Sequence, residues 1–233
     1  MDHPLKRREL QLKALRTAAT LVEREDRGPM RPVGRRRGAR PGGLYFSQKM
    51  GRHIGWESKN ERNSLFHAEA DPNVANYREQ PHTLRLRIDD KVFSYTPDRE
   101  DVYRDGRVVV VEVKDVFEEA RDPAYAAKLH RCAEIYEGLG WDFQLIEKEE
   151  IERRPRFDVV SKIQSHRRVA VSPPEIRKVL DAIRQGSACL SDLRPMFAFA
   201  PEADAKLCAM AVRGLVQIQL DRPFGALTRV TPT

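Results

Sequence analysis

Alternating apolar and polar residues in the middle of the chain predict a group of β-strands. Residues 83–88 (TLRLRI) place an apolar side chain at every second position, which predicts a strand with one buried face. A second strand is expected over 91–95, after an Asp-Asp turn. Residues 107–114 contain four consecutive valines and are apolar on both faces, as is typical of a central strand. Asp105-Gly106 just before it is a hairpin turn signal.

Apolar residues at helical spacing predict two helices around these strands. The first spans about Trp56 to Ala70, and Glu61 lies on its inward stripe, four residues before Leu65. The second begins at Asp122-Pro123, because aspartate caps a helix and proline suits its first position. It ends near Gly138 or Gly140 and is followed by a strand over 141–146. Strand, helix and strand with short connections predict a right-handed parallel crossover, and hence an α/β core.

The last third of the chain reads as a separate module. Ser172-Pro173-Pro174 marks its start. Helices are predicted over 173–185, 190–197 and 201–213, and two short strands over 215–220 and 227–230. Three helices followed by a hairpin are the winged-helix pattern. We therefore predict a winged-helix-like domain over 172–233.

The charge is concentrated at the start of the chain. Residues 1–42 contain 12 Lys and Arg against 5 Asp and Glu, so they hold the whole formal net charge of +7. The bases are densest at Arg31, Arg35, Arg36, Arg37 and Arg40. We predict a basic flexible arm over 1–42, with a helix-prone start and a Pro/Gly/Arg-rich linker. Such an arm suits phosphate binding, although a solvated leader or a protein-binding segment fits the same composition.

Composition excludes several other classes of protein. Hydrophobic residues make up 40% of the 233, which is enough for a core. No run approaches the ~18 apolar residues of a membrane span, and the first residues lack the apolar core of a signal peptide. The three cysteines have no zinc-binding spacing. We expect a cytoplasmic protein without a membrane partner.

Three acids and a lysine are the candidate catalytic residues. Glu112 and Lys114 are two apart on the predicted central strand, so their side chains leave the same face. Asp98 precedes the hairpin that would return the chain to Glu112, and Glu61 comes from the first helix. Clustered carboxylates repel each other unless a cation joins them, and Mg²⁺ prefers hard oxygen ligands. A main-chain carbonyl at Val113 can add another oxygen.

Several short motifs make the chain resemble TnsA, the endonuclease subunit of heteromeric cut-and-paste transposases. The stretch 47–52 (SQKMGR) resembles the S-x-K-x-G-R lead-in of that family, and 57–62 (ESKNER) resembles its helix start. Residues 71–74 (DPNV) and 79–81 (EQP) follow in the family's order, before Pro97-Asp98 and the E-V-K of 112–114. The similarity covers roughly 47–147. The C-terminal module is consistent with the family but has no sharp motif.

The resemblance implies a fold, a reaction and partners. The fold would be a restriction-endonuclease-like mixed-sheet core of the PD-(D/E)xK superfamily over 43–171. The protein would be an endodeoxyribonuclease that cuts the 5′ ends of a transposon, leaving 5′-phosphate and 3′-hydroxyl. Mg²⁺ would be the cofactor, for which Mn²⁺ can substitute. The partners would be transposon-end DNA, a TnsB-like D-D-E transposase and a TnsC-like AAA+ ATPase. By position, the catalytic set is Glu61, Asp98, Glu112 and Lys114, with Glu61, Asp98, Glu112 and Val113 as metal ligands.

Two alternatives to this function follow from the same residues, and one alternative concerns the site. The core also suits a stand-alone restriction or repair nuclease. A non-catalytic DNA-binding adaptor would use the winged helix instead. Within the site, relatives commonly place an apolar residue where this chain has Arg99, so Glu100 or Asp101 is an alternative to Asp98.

Overall fold

The protein is mixed α/β. The computed structural model describes residues 4–12, 17–31, 42–88, 91–186 and 188–233. The strands are β1 (Leu5–Leu12), β2 (Thr17–Arg24), β3 (Gly43–Ser47), β4 (Arg52–Trp56), β5 (Val74–Glu79), β6 (Thr83–Ile88), β7 (Lys91–Tyr95), β8 (Arg99–Tyr103), β9 (Val108–Lys114), β10 (Asp142–Glu147), β11 (Val216–Ile218) and β12 (Val230–Pro232). The helices are α1 (Lys59–Ala70), α2 (Pro123–Glu137), α3 (Lys148–Ile151), α4 (Arg156–Ser165), α5 (Pro173–Arg184), α6 (Leu190–Leu193) and α7 (Ala203–Val212), with 3-10 turns at Arg194–Met196 and Ala200–Glu202.

The chain divides into two compact units, each built from more than one segment. The first unit contains Met1–Tyr45, His53–Arg62 and Asn73–Lys148. The second contains Phe46–Arg52, Asn63–Pro72 and Glu149–Thr233. None of the helices in the described part of the chain has the length and hydropathy needed to cross a membrane.

One sheet of the first unit has the order β1-β2-β6-β7 and is antiparallel throughout. The predicted alternation in β6 is confirmed, because Leu84 and Leu86 are buried while Arg85 and Arg87 are exposed. Leu84 lies opposite Leu21 of β2, so both strands present their apolar residues to the same face. That face contributes to a core that also contains side chains of α2 and β9.

The second sheet of this unit has the order β10-β9-β8-β5. β8 and β9 form the predicted antiparallel hairpin, and Gly106 in its turn has a φ of +87°, which favours glycine. β9 and β10 are parallel and α2 connects them, so the predicted crossover is confirmed. The Asp122 carboxylate caps α2 by accepting from the backbone N–H of Tyr125. Three valines of β9, at 109–111, are buried, as expected of a central strand.

A buried ionic network within the first unit connects its two sheets. Arg78 of β5 donates to Glu100 of β8, with Nη2 2.8 Å from Oε1, and also lies 3.6 Å from Glu23 of β2. His82 lies on the other side of Glu100, with 3.5 Å between Nδ1 and Oε2, and its Nε2 bonds the hydroxyl of Tyr136 on α2. Burial opposes ionisation of Glu100, but His82 and Arg78 lower its pKa below the ordinary value.

The helix-prone start expected of the N-terminal arm is wrong for the residues described there. Residues 5–12 and 17–24 are strands β1 and β2, and β2 pairs with β6. The reason is tertiary: pairing satisfies backbone groups of β6, and Leu10, Ala19 and Leu21 join its buried face. Residues 32–41, with Arg35, Arg36, Arg37 and Arg40 of the predicted linker, lie outside the described residues.

The second unit contains the predicted series of three helices and a hairpin. These are α5, α6 with its 3-10 turn, α7, and the antiparallel pair β11–β12. Ser172 caps α5 in a reciprocal arrangement with Glu175, which explains why the helix begins where the sequence indicates. Buried residues of α5, α6, α7 and the hairpin share one core.

The unit boundaries differ from those predicted at residues 43 and 172. Helix α4, which the sequence patterns did not reveal, places Val159 and Ile163 in the same core as α5 and α7. The second unit therefore begins at Glu149 in this part of the chain. It also includes 46–52 and 63–72, where Ser47 Oγ donates to the buried Glu69 carboxylate over 2.7 Å. Segments distant in the sequence thus belong to one compact unit, which composition along the chain does not reveal.

Candidate active site

Asp98 lies directly before β8 and is held beside β9. Its carboxylate oxygen Oδ2 accepts the backbone N–H of Val113 at 2.8 Å. Its backbone carbonyl accepts the N–H of Gln80 at 2.9 Å. Arg99 pairs with Val111 in the antiparallel β8–β9 ladder, so the next step of the same register brings Asp98 opposite Glu112. Cross-strand neighbours of this kind have Cβ atoms about 4.5–5.5 Å apart.

Glu112 is buried on β9, and three side chains bond its carboxylate. The hydroxyl of Tyr95 donates to Oε2 over 2.7 Å. The hydroxyl of Tyr125 and the Lys114 ammonium both reach Oε1, each over 2.7 Å. The carboxylate is therefore fixed from β7, from α2 and from its own strand. Lys114 lies on the same side of β9 as Glu112, as the two-residue spacing predicts.

Glu61 approaches the same place from the first turn of α1. Its carboxylate accepts the backbone N–H of Glu57 at 2.7 Å. Burial raises the pKa of Glu61, and the charges of Glu57 and Glu112 add to this, although its hydrogen bonds oppose it. The predicted helix from Trp56 begins at Lys59, because 52–56 form β4. The Glu61 carboxylate nevertheless lies within electrostatic reach of Glu112.

The pKa of Asp98 shows how crowded the acids are. Burial and the charges of Glu112 and Glu61 together raise this pKa from 3.8 to about 8, and burial contributes most. The hydrogen bond from Val113 and the charge of Lys114 oppose the rise. Asp98 and Glu112 thus share one partly buried place with Glu61 within electrostatic reach, and Lys114, whose ammonium bonds Glu112, carries only one positive charge. This is the electrostatic environment that a divalent cation relieves.

Lys114 is a permanent cation in this site. Burial by itself lowers the pKa of its ammonium, but the charge and hydrogen bond of Glu112 raise it above its ordinary value. The ammonium also lies 4.7 Å from the centre of the Tyr125 ring, and Lys128 lies 4.5 Å from the same centre. Lys114 can therefore donate hydrogen bonds and offset negative charge at neutral pH, but it does not accept a proton.

The two alternatives to Asp98 bond other partners. Glu100 belongs to the buried network with Arg78 and His82. Asp101 forms a bidentate pair with Arg99, at 2.7 and 2.9 Å, and is buried. Arg99, which stands where the resemblance leads one to expect an apolar residue, thus has a partner two residues along its own strand. Of the three acids, Asp98 is the one that faces Glu112.

Gln80 supports Asp98 through its backbone. It is a buried residue with a φ of +40°, a conformation that costs non-glycine residues energy. The strained turn points its N–H at the carbonyl of Asp98 and its carbonyl at the N–H of Met30. The side chain accepts from Arg31 over 3.3 Å. These contacts give Gln80 a structural role beside Asp98.

The donor set fits Mg²⁺, which keeps several of its waters. Among the residues described, no group of three or more His, Cys, Asp or Glu side chains is arranged as a ready metal cage. Magnesium is usually bound through one or two carboxylates plus waters and substrate oxygens, rather than by a complete protein cage. Asp98 and Glu112 can supply those carboxylates, with the carbonyl of Val113 and the more distant Glu61 in support. The excess of buried acid over base agrees with this assignment.

Tyr95, Tyr125 and Lys128 belong to the site but were not predicted from the sequence. Both tyrosines occupy positions that read as ordinary half-buried apolar residues. Buried tyrosine hydroxyls usually find a polar partner, and that rule was the available signal. The partner could not be named, because Glu112 lies 17 residues from Tyr95 and 13 from Tyr125.

No protein-family model and no curated protein matches the chain.

We expect replacement of Asp98 by asparagine to stabilise the metal-free protein at alkaline pH. The folded-state pKa is raised, so folding opposes loss of this proton, and stability falls as pH rises from about 4 towards 8. Asparagine does not ionise, and its oxygen can still accept the Val113 hydrogen bond. The gain in unfolding free energy should be about 1–3 kcal/mol at pH 8 and near zero at pH 4. Urea unfolding in EDTA at both pH values measures it; equal gains at the two would contradict the crowding of acids.

Proposed function

We propose that the protein is a metal-dependent DNA endonuclease that resembles TnsA. In this role it cleaves the 5′ ends, the non-transferred strands, of a transposon together with a TnsB-like D-D-E transposase. The observation that supports this most strongly is the convergence of Asp98, Glu112 and Lys114 at the end of β9, with Glu61 within electrostatic reach. These residues come from a loop, a central strand and a helix. Their order and spacing agree with a PD-(D/E)xK nuclease.

Each residue has a distinct task in phosphodiester hydrolysis. Asp98 and Glu112 would hold the metal, and the N–H of Val113 fixes the orientation of Asp98. Tyr95 and Tyr125 fix Glu112 through its two oxygens. Mg²⁺, when bound, polarises the scissile phosphate and lowers the pKa of a coordinated water. Lys114, as an ammonium, offsets the negative charge that builds on the phosphate oxygens in the transition state.

The fold of the first unit supports the nuclease class. A mixed sheet with an antiparallel β8–β9 hairpin and a parallel β9–β10 pair carries Glu112 and Lys114 on its central strand. This agrees with the restriction-endonuclease-like core that the resemblance implies. The TnsB-like and TnsC-like partners rest on the resemblance alone, through the motifs of 47–52, 57–62, 71–74 and 79–81.

A non-catalytic DNA-binding adaptor is less well supported. Such a protein would use α7 as the recognition helix of a winged-helix domain. Every residue of α7 is buried or half-buried, and its one base, Lys206, bonds Glu175 over 2.7 Å. This helix therefore offers no exposed basic face to a DNA groove. A stand-alone restriction or repair nuclease shares the same site and differs in cleaving without a transposase.

Metal binding tests the proposed site directly, without a partner protein. We expect titration calorimetry with Mn²⁺ to show binding that Asp98→Asn and Glu112→Gln each weaken by at least about tenfold, because each removes a charged ligand. Glu118→Gln is the matched control, since it removes an exposed carboxylate that pairs with Arg121 away from the site. Mn²⁺ binding that the two site variants leave unchanged would exclude these carboxylates as ligands.

A further inference from the structure

The antiparallel sheet of the first unit has a basic face opposite its buried one. Arg85 and Arg87 are two apart on β6, so they project from the same side. By register Arg7 of β1 lies on that side as well, because it pairs with Val22, which pairs with Thr83. Val22 itself is buried, so the face is covered at that point and open around Arg85 and Arg87. We call Arg7, Arg85 and Arg87 the arginine face.

The guanidinium groups of this face are available to a ligand. All three arginines are exposed, as is their neighbour Val92, at 67%. No hydrogen bond or ion pair joins any of the three side chains to another residue in the described part of the chain. Among the described positions on this side of the four strands, Glu9 is the one acid. Positive charge therefore predominates on the face.

The chemistry of the face suits a sugar-phosphate backbone. Guanidinium groups bind phosphate oxygens through two parallel hydrogen bonds. Hydroxyl side chains, which also contact phosphates, lie beside them: Thr20 and Ser94 flank Arg85 on either side in the strand ladder. None of the described side chains on this face is aromatic. Single-stranded nucleic acid is usually bound by stacking bases on aromatic rings, so the face favours a duplex.

We propose that the arginine face binds the phosphate backbone of duplex DNA through Arg85 and Arg87, with Arg7 extending the contact. This rests on the proposed function in one respect, since it takes DNA as the substrate of the same unit. The contact is independent of sequence and of metal. It would hold the duplex during transposon-end cleavage while the partner selects the site.

Salt-dependent binding tests the arginine face. A fluorescent duplex of about 25 base pairs is titrated in EDTA at several salt concentrations, with anisotropy as the signal. Each phosphate contact contributes about 0.9 to the slope of log affinity against log salt, so Arg85→Gln/Arg87→Gln should reduce that slope by about 2. The affinity of this double variant at low salt should fall at least tenfold. Thermal unfolding checks that this double variant is folded.

Control variants separate this proposal from its alternatives. Arg153→Gln/Arg156→Gln removes the same charge from exposed positions of the second unit and should leave the slope unchanged. An equal loss of DNA affinity in both double variants would overturn the proposal, as would no loss in Arg85→Gln/Arg87→Gln. The same holds if Arg85→Gln/Arg87→Gln loses more affinity for anionic vesicles than for duplex DNA. If the protein binds DNA through this face but never cleaves it, the nuclease assignment fails while the surface stands.

Discussion

Replacement of Lys114 by alanine is expected to reduce DNA cleavage by about 10²–10³-fold, the loss found when a positioned transition-state donor is removed. The ammonium lies 2.7 Å from Glu112 and stays protonated because that carboxylate raises its pKa. In the proposed function its contribution is positive charge beside the scissile phosphate, which alanine cannot supply. A duplex carrying the transposon end, incubated with the TnsB-like partner and Mg²⁺ or Mn²⁺, measures the loss as strand-specific product on a denaturing gel.

Two controls define the meaning of that result. Lys148→Ala removes a half-exposed lysine that lies 4.0 Å from Asp115 and should cleave at the wild-type rate. Binding of Mn²⁺ to Lys114→Ala should persist, because the carboxylates remain. Full cleavage by Lys114→Ala would contradict the nuclease assignment. Efficient cleavage by the single wild-type chain would instead favour a stand-alone restriction or repair nuclease.

Replacement of Glu100 by glutamine is expected to lower the free energy of unfolding by about 3–5 kcal/mol, because it leaves a buried charge without its partner. The guanidinium of Arg78 is 8% exposed and donates to Glu100 through two nitrogens. Glu23 is farther away, at 3.6 Å, and cannot compensate fully. Urea denaturation at pH 7 measures the change, with the exposed Glu118→Gln as a control that should shift it by less than about 0.5 kcal/mol.

A double-mutant cycle with Arg78→Met tests the same network. The double variant should be less destabilised than the two single changes summed, since it removes both charges together. At a temperature where Glu100→Gln remains folded, its Mn²⁺ affinity should equal that of the wild type. A loss of metal affinity there, or a loss of stability below about 1 kcal/mol, would reopen Glu100 as the alternative to Asp98.

The parts of the site that lie on one strand could be predicted from the sequence. Glu112 and Lys114 share a face because side chains alternate along any strand, whatever the strand pairs with. The run of valines before them predicted a central, buried strand, and the cap at Asp122 predicted where α2 begins. Tyr125 was missed although α2 was predicted. The pattern of apolar residues shows which face of the helix is buried, but it does not show which group the Tyr125 hydroxyl bonds.

The N-terminal strands and the unit boundary could not be predicted for a related reason. β1 contains adjacent charged residues at 6–9, and no local pattern distinguishes it from a helix or an arm. It is a strand because it pairs with β2, and β2 in turn pairs with β6. The paired residues of β2 and β6 are more than 60 positions apart in the sequence. Helix α4 likewise belongs to the second unit through the burial of Val159 and Ile163 among residues farther along the chain.

By itself the sequence determined the periodic elements of the core, the α/β class, the crossover through α2 and a short set of candidate acids. Those features depend on local backbone geometry, which side-chain spacing reveals. Only the tertiary structure shows which of Asp98, Glu100 and Asp101 lies opposite Glu112. The β8–β9 register brings Asp98 opposite Glu112, and ion pairs with Arg78 and Arg99 hold the other two. Register is set by hydrogen bonds between separate strands and by charges that must be paired when buried, and neither is visible along a single chain.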